Sequence, residues 1–327
     1  GEGTEDDPYL IQTPDDLVDL RWYLLEGKIK SAGADTHFKM TQDINLKNIA
    51  DWKAIAQNDR AGFRGHFDGN GFAIWNLNSR INNVSGLFGI LGDGALIENL
   101  TIASGEIGNS TYVGTVGAIA AKTGENANAT IKNCHNYATI IGNWSVGGIL
   151  GEISENSTLT VENCSNHGEI RASYTGGGIV GQVGPNRWKG CESKAIIINS
   201  YNAGKVIGVG NWGVGGIVGS YRLGGAGQVI RNCYNVGSVS GAVSGAIFGS
   251  IAEADLTLEN TYYLEGSCSQ ANGVFDDDGA DTVGTVTGTA TVKNSTEMIS
   301  KELLESLGSA FEADGNEINS GYPVIKG

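Results

Sequence analysis

The sequence predicts an all-β protein that folds as a right-handed parallel β-helix of about six to seven coils. First, an asparagine-centred unit recurs at a nearly regular spacing, and a glycine-rich unit recurs in step with it. Second, each repeat holds short β-prone pieces separated by turn residues. Third, no repeat contains a helix long enough for a βαβ crossover. One repeat therefore corresponds to one coil, and equivalent residues stack about 4.8 Å apart.

The asparagine unit reads apolar-x-Asn, followed by a small or apolar residue. Its asparagines are separated by 34, 30, 36, 33 and 28 residues: Asn99, Asn133, Asn163, Asn199, Asn232 and Asn260. The residue two positions earlier is always Ile, Val or Leu, which predicts a buried aliphatic column. The residue after the Asn should then point outward, yet it is never charged, so the strand phase changes at the Asn. Because Asn tolerates the left-handed region and its amide can bond the next amide, the column predicts an asparagine ladder at a bend.

The glycine-rich unit is clearest as Gly147-Gly148-Ile149-Leu150-Gly151. Further copies are Gly178-Ile179-Val180-Gly181 and Gly216-Ile217-Val218-Gly219, and Ala118-Ile119-Ala120-Ala121 is a degenerate copy. Glycines in these places predict tight turns and a close approach of neighbouring coils.

No Pro/Ser-rich linker interrupts the chain, which predicts one domain over residues 1–327. Residues 1–85 form the N-terminal cap and first coil in this interpretation, 86–265 the repeat body and 266–327 the C-terminal cap. The caps are needed because an open β-helix exposes unpaired strands at both ends.

Each predicted cap contains a short helix. Thr13-Pro14-Asp15-Asp16 is an N-cap signal before an amphipathic segment that is closed by Gly27 and carries Leu17, Leu20 and Leu24. Near the other end, Ser295-Thr296-Glu297 precedes one helix with Met298, Leu303, Leu304 and Leu307, closed by Gly308. Asp68-Gly69-Asn70-Gly71 predicts a hairpin-like or tight turn in the first coil.

Charge and composition exclude several classes of partner. The net charge of −15 opposes a nucleic acid backbone. The longest apolar runs are far shorter than the roughly 20 residues of a transmembrane helix. The chain opens without a basic and then apolar leader, so we expect a targeting segment to be absent or already removed. The five cysteines form no CxxC pair, and Cys134, Cys164 and Cys233 are interpreted as compact, reduced core residues.

A search for catalytic and metal motifs predicts no catalytic residue, metal or cofactor. There is no HExxH or G-x-S-x-G, and the four histidines fall in different repeats: His37, His66, His135 and His167. The two G-x-G-x-x-G matches precede no helix and are expected by chance in so Gly-rich a chain. The segment Asp276-Asp277-Asp278-Gly279 with Asp281 lacks the EF-hand ligand order, which favours a solvated acidic loop over a calcium site.

Two aromatic columns are the candidate ligand-binding surface. Trp144, Tyr174 and Trp212 lie five residues before the central Ile of the glycine unit, and Tyr201, Tyr234 and Tyr262 lie two residues after the ladder asparagine. Exposed rings repeated at the coil spacing would form a flat amphipathic surface for a sugar or a protein. The alternative is that the rings pack on one another or cover turns.

The repeats resemble the GLUG-motif repeats of bacterial, Bacteroidetes-type cell-surface proteins, which also occur in IgA1-protease-like proteins. The resemblance is carried by Gly147–Gly151 and its copies, by Asn163-Cys164-Ser165-Asn166-His167-Gly168 and Asn232-Cys233-Tyr234-Asn235-Val236-Gly237, and by the flanks Gly3–Tyr9, Phe63–Gly71 and Asn319–Pro323. It implies an extracellular or surface β-helix of the adhesin kind, and it brings no catalytic motif.

These observations favour a non-enzymatic, secreted or cell-surface binding module whose partner is a host or microbial surface glycan or protein. Two alternatives remain open. The first is a carbohydrate-active β-helix enzyme, although no Asp lies between Asp93 and Asp255 to supply clustered carboxylates. The second is an accessory or spacing repeat domain of a surface peptidase related to IgA1 proteases.

Overall fold

The computed structural model describes residues 1–25, 35–57, 62–80, 83–111, 114–184, 191–222, 224–275 and 284–327. It confirms the parallel β-helix, with about 8 turns. The additional turn arises because coils without the asparagine unit pair with the repeat body at both of its ends. His66–Asp68 pairs with Leu96–Ile102, and Thr285–Thr287 pairs with Ala254–Leu264, in each case in parallel. The predicted acidic loop at Asp276–Asp281 and the helix-closing Gly27 lie outside the described residues.

Four parallel sheets form the walls of the solenoid. Sheet 1 has 15 strands: Tyr9–Ile11, His37–Met40, Ile44–Asn45, His66–Asp68, Ala73–Trp75, Leu96–Ile102, Asn128–Asn136, Thr158–Glu162, Ser165–Asn166, Lys194–Ile198, Tyr201–Asn202, Gly225–Asn235, Ala254–Leu264, Thr285–Thr287 and Ala290–Lys293. Sheet 2 has 5 strands: Glu106–Ile107, Thr139–Gly142, Ile170–Ala172, Val206–Gly208 and Val239–Ser240. Each coil of the repeat body passes from sheet 1 to sheet 2 and then to sheets 3 and 4.

Sheets 3 and 4 carry the glycine-rich units. Sheet 3 has 6 strands: Val84–Ser85, Thr115–Gly117, Ser145–Gly147, Thr175–Gly177, Gly213–Gly215 and Val243–Gly245. Sheet 4 has 7 strands: Phe88–Leu91, Ala120–Thr123, Leu150–Ile153, Val180–Val183, Val218–Tyr221, Phe248–Ile251 and Val274–Phe275. The degenerate copy keeps this arrangement, because Ala120 pairs with both Phe88 and Leu150.

The predicted asparagine ladder is confirmed. All six asparagines have positive φ values between 45° and 54°, which is the change of strand phase that the sequence implied. From Asn133 onward, each Nδ2 donates to the Oδ1 of the asparagine one coil earlier at 2.8 to 3.1 Å. The aliphatic column two residues earlier is buried throughout, from Ile97 to Leu258. The ladder therefore marks the bend that turns apolar side chains back into the core.

A second asparagine ladder, which was not predicted, lies three residues further along the chain. Asn136, Asn166, Asn202 and Asn235 are fully buried, and each of the first three donates its Nδ2 to the next Oδ1 at 2.8 Å. The donor direction is opposite to that of the first ladder, since these amides donate toward the following coil. Each Nδ2 also donates to a carbonyl two residues ahead, as from Asn166 to Gly168. The sequence signal was the recurring Asn-x-x-Asn spacing.

The N-terminal helix forms as predicted. Helix α1 spans Pro14–Leu25, and its buried face contains Leu17, Leu20 and Leu24. Thr13 closes the N-terminus, because its backbone N–H donates to Asp16 Oδ2 and its hydroxyl accepts from the Asp16 N–H. None of the helices that the structure describes combines the length and apolar character needed to cross a bilayer.

The prediction of a single C-terminal helix from Ser295 to Gly308 is wrong in two respects. The segment forms two helices, α2 at Ser295–Met298 and α3 at Lys301–Leu307, because Ser300 acts as a new N-cap and accepts from the Leu303 N–H. A short antiparallel pair follows, formed by Phe311–Glu312 and Val324–Ile325. Residues 294–327, here called the C-terminal strap, pack on the flank of the solenoid against tyrosines of successive coils instead of only closing its end.

The turn at Asp68-Gly69-Asn70-Gly71 is a corner and not a hairpin. The strands on either side, His66–Asp68 and Ala73–Trp75, both pair in parallel with Leu96–Ile102. Asn70 and Gly71 supply the positive φ values, 52° and 79°, that a tight corner requires.

Thiol labelling of the native protein should modify Cys191 and Cys268 and leave unmodified the three cysteines that follow ladder asparagines, Cys134, Cys164 and Cys233. All five cysteines are free; Cys134, Cys164 and Cys233 are fully buried, whereas the other two are half-buried. Burial raises the pKa of Cys233 to about 12, which removes the reactive thiolate. Mass spectrometry after iodoacetamide treatment, with and without denaturant, measures the pattern. Equal labelling of Cys233 and Cys268 in the native protein would contradict the described packing.

Candidate functional site

The first aromatic column forms a continuous row at the corner between sheets 2 and 3. Trp144, Tyr174 and Trp212, here called the aromatic corner, each follow a sheet 2 strand and precede a sheet 3 strand. The ring centroids of Trp144 and Tyr174 are 5.0 Å apart, and those of Tyr174 and Trp212 are 5.9 Å apart. The rings are tilted by 39° and 47°, and all three residues are half-buried. Coil stacking thus presents three neighbouring rings to solvent on one face.

The corner segment of the coil that carries Trp212 is longer than that of the coil that carries Tyr174. Ala172 pairs with Gly208 and Gly176 pairs with Val214, so three residues of one coil stand opposite five of the next. The insertion places Val209 on the outside with 75% of its surface exposed. It extends the apolar surface of the corner beside Trp212.

Two polar atoms beside the rings are shielded from solvent and have no hydrogen-bond partner among the described residues. They are Asn143 Oδ1, one residue before Trp144, and Arg222 Nη1. The Arg222 guanidinium lies over the Trp212 ring at 4.3 Å from its centroid, a cation–π contact. A buried donor and a buried acceptor without partners are costly in a folded protein.

The second predicted column is not an open surface, and this part of the site prediction is corrected. Tyr201 and Tyr234 stack face to face, with centroids 4.9 Å apart and 2° between planes, and are 2% and 0% exposed. Phe311 of the C-terminal strap covers them, its ring 5.9 Å from that of Tyr234. Asn319 Nδ2 donates to Tyr234 Oη at 2.7 Å, and that hydroxyl donates to the Pro323 carbonyl. The column is the docking face of the strap.

Tyr262, the last member of that column, is half-buried against the same cluster. Beyond the other edge of the cluster, Tyr137 is 41% exposed and stacks on His167 at 4.5 Å. Burial lowers the pKa of His167 to about 4, so this ring is neutral near pH 7. The stacked pair of Tyr137 and His167 therefore presents two uncharged rings at this edge of the cluster.

Glu152 is largely buried, and a nearby carboxylate, Glu155, contributes to the rise of its pKa. Burial raises the pKa of this carboxyl, and Ser145 Oγ donates to its Oε2 at 3.3 Å. Its register neighbours on adjacent coils are Lys122 and Gln182, neither of which is acidic. Among the described residues, no group of three or more His, Cys, Asp or Glu side chains forms a metal site. His37 and His66 lie in different coils, as the sequence indicates, yet they are hydrogen-bonded to each other.

The whole chain superposes on the solved structure of a Bacteroides ovatus protein that is provisionally assigned as an immunoglobulin A1 protease. The TM-score is 0.71, with 21% identity, and the match covers 100% of this chain and 94% of that one. The two chains share one fold. No protein-family model matches the chain, so the resemblance to GLUG repeats stays a prediction.

Two curated relatives match shorter segments. A protein of Evansella cellulosilytica, provisionally named a Gly-rich membrane protein, is 37% identical over 133 residues, which is 38% of this chain and 14% of that protein. Halomucin of Haloquadratum walsbyi is 32% identical over 154 residues, 44% of this chain and 2% of halomucin. The chain thus spans only a small part of either relative.

Proposed function

We propose that this chain is a non-enzymatic binding module of a secreted or cell-surface protein, and that it binds its ligand at the aromatic corner. The observation that carries the proposal is the row of Trp144, Tyr174 and Trp212 at centroid spacings of 5.0 and 5.9 Å on one face. A row of half-buried rings binds flat apolar faces, which sugars and protein side chains both offer. The Arg222 guanidinium, which lies over the Trp212 ring, adds a polar and cationic group to the edge of this row.

The preferred ligand is a neutral, extended glycan, with a basic protein surface as the alternative. Several rings in a row can contact successive units of one polymer, so weak contacts add within one complex. The net charge of −15 opposes anionic polymers such as acidic polysaccharides. The long relatives, one of them named a membrane protein, support an extracellular role as one module within a larger protein.

Replacing Trp144 and Trp212 together by Ala should weaken ligand binding about 5- to 150-fold, because two rings contribute about 0.5–1.5 kcal/mol each. A glycan array identifies the ligand, and surface plasmon resonance then compares the affinities. Trp22→Ala is the matched control, since this ring is 52% exposed on helix α1, away from the corner. Thermal melting checks the folding of each variant. Full affinity in the double variant would place the site elsewhere.

A second candidate function is that of an accessory domain in a surface peptidase. It is favoured by the fold likeness to the Bacteroides ovatus protein assigned as an immunoglobulin A1 protease. Incubation of the purified chain with immunoglobulin A1 tests it, with binding and cleavage measured separately. Binding without cleavage supports the accessory role, and cleavage supports an enzyme. If the chain neither binds nor cleaves immunoglobulin A1, only the aromatic-corner proposal remains.

A further inference from the structure

His37 and His66 form a pair across the first two coils. They stand opposite each other in parallel register, so both side chains leave the sheet in the same direction. Their Nδ1 atoms are 3.0 Å apart, and their ring centroids are 4.9 Å apart at an angle of 65°. Both residues are half-buried and reachable from solvent. The sequence signal is the dipeptide His-Phe, which recurs after one coil length at 37–38 and 66–67.

Glu98 determines the tautomer of this pair. His66 Nε2 lies 2.8 Å from Glu98 Oε1, and an ionised carboxylate can only accept. His66 therefore donates from Nε2, and in neutral His66 the Nδ1 atom carries a lone pair that faces His37 Nδ1. The same pattern, in which a carboxylate holds the far nitrogen of an imidazole, orients histidine ligands in metal sites.

The separation of the two nitrogens can be compared with the ligand separations of known coordination geometries. Two imidazole nitrogens bound at about 2.05 Å lie about 2.9 Å apart when they are adjacent in square-planar or octahedral coordination, and about 3.3 Å apart in a tetrahedral site. The observed 3.0 Å is an ordinary hydrogen-bond length between the rings, and it also lies closer to the first value than to the second. We propose that His37 Nδ1 and His66 Nδ1 chelate Ni²⁺ or Cu²⁺, with water completing the coordination.

The proton balance and the local charge both allow His37 and His66 to bind a metal ion. When an ion binds, the neutral His37 ring moves its proton from Nδ1 to Nε2 through solvent, so that each ring offers one lone pair. Around the pair, Glu98 and Asp68 are acidic and Lys39 is basic, which leaves one net negative charge. Asp68 is engaged by Lys39 and by Asn99 Nδ2, so it acts on the ion through its charge and not as a ligand.

Calorimetric titration of Ni²⁺ into the full chain tests the site, in a Cys191→Ser and Cys268→Ser background that removes the two half-buried thiols. We expect one ion per chain, loss of binding in His37→Asn and in His66→Asn, and 10- to 100-fold weaker binding in Glu98→Gln. His167→Gln removes an imidazole on a later coil and should change nothing. Binding retained in both pair variants, or absent from the parent protein, overturns the proposal.

Electron paramagnetic resonance gives a second readout that needs no substitution within the pair. Cu²⁺ added at one equivalent to the same background should show coupling to two nitrogen ligands. A spectrum without nitrogen coupling overturns the assignment even where a histidine variant fails to fold. Loading with Ni²⁺ should also raise the melting temperature, because an ion that binds only the folded chain stabilises it.

Discussion

Replacing Gly178 by Ala is expected to destabilise the fold by about 3 kcal/mol or more. A Cβ at this position would lie 2.1 Å from the Gly216 carbonyl oxygen and 2.4 Å from Asn202 Cγ. The first is backbone of the next coil and the second belongs to the buried ladder, so neither can move without breaking the stack. Overpacking of this kind usually costs about 1–3 kcal/mol, and more where the neighbours are rigid. Urea denaturation followed by circular dichroism measures the change.

Gly124→Ala is the matched control for that substitution. The nearest atom to a Cβ there is the Leu91 carbonyl oxygen at 3.6 Å, an ordinary contact distance, and its φ lies outside the left-handed region. We expect the free energy of unfolding of this variant to stay within about 0.5 kcal/mol of that of the parent, or to rise as unfolded-state entropy falls. If both variants unfolded at the same urea concentration, the glycines of the repeat would be needed for turns and not for close packing between coils.

Replacing Asn166 by Leu should cost about 2 to 6 kcal/mol. The side chain is fully buried, accepts from Asn136 Nδ2 and donates to Asn202 Oδ1, both at 2.8 Å. Leucine removes both ladder bonds and the bond to the Gly168 carbonyl. It leaves two buried amide groups without these ladder partners, each at about 1–3 kcal/mol. Denaturant unfolding of the purified variant measures the loss.

Asn163→Leu provides the comparison within the same coil. This asparagine belongs to the first ladder, is half-buried and has a φ of 53°. Water can reach its freed partners, Asn133 and Asn199, so the loss should be smaller, about 1–3 kcal/mol from backbone strain and two half-buried amide links. A larger loss for Asn163→Leu than for Asn166→Leu would show that the bend, and not the buried amides, limits stability.

The contrast between the two ladders shows what could be predicted from this sequence. Asn163 stood out because the residues on either side of it break the strand alternation, and only a left-handed residue explains that break. Asn166 causes no such anomaly. Its importance depends on burial and on partners one coil away, which a local pattern does not contain.

The two aromatic columns differ for a related reason. Both were visible as rings at the coil spacing, yet Trp144 stays at the surface while Tyr234 is fully buried. The residues that cover Tyr234 include Asn319, 85 positions later, and no local signal links the two. The short helices of that segment were predictable from their caps, but the surface on which they pack was not.

The histidine pair illustrates the same limit in the first coils. These coils lack the asparagine unit, so no repeat alignment placed His37 beside His66. Register in a solenoid is set by strand pairing over the whole coil, and here the pairing of Phe38 with Phe67 brings the histidines together.

The C-terminal strap changes how this solenoid responds to force. In a simple stack each coil is held only by its neighbours, so coils can unfold one at a time from an end. Here Met298, Leu303 and Phe311 pack in one cluster with Tyr201, Tyr234 and Tyr262, which belong to three successive coils. These three coils cannot unfold separately until the strap has dissociated from all of them. This part of the chain therefore yields as one mechanical unit, and the energy needed to start rupture is concentrated in a single event.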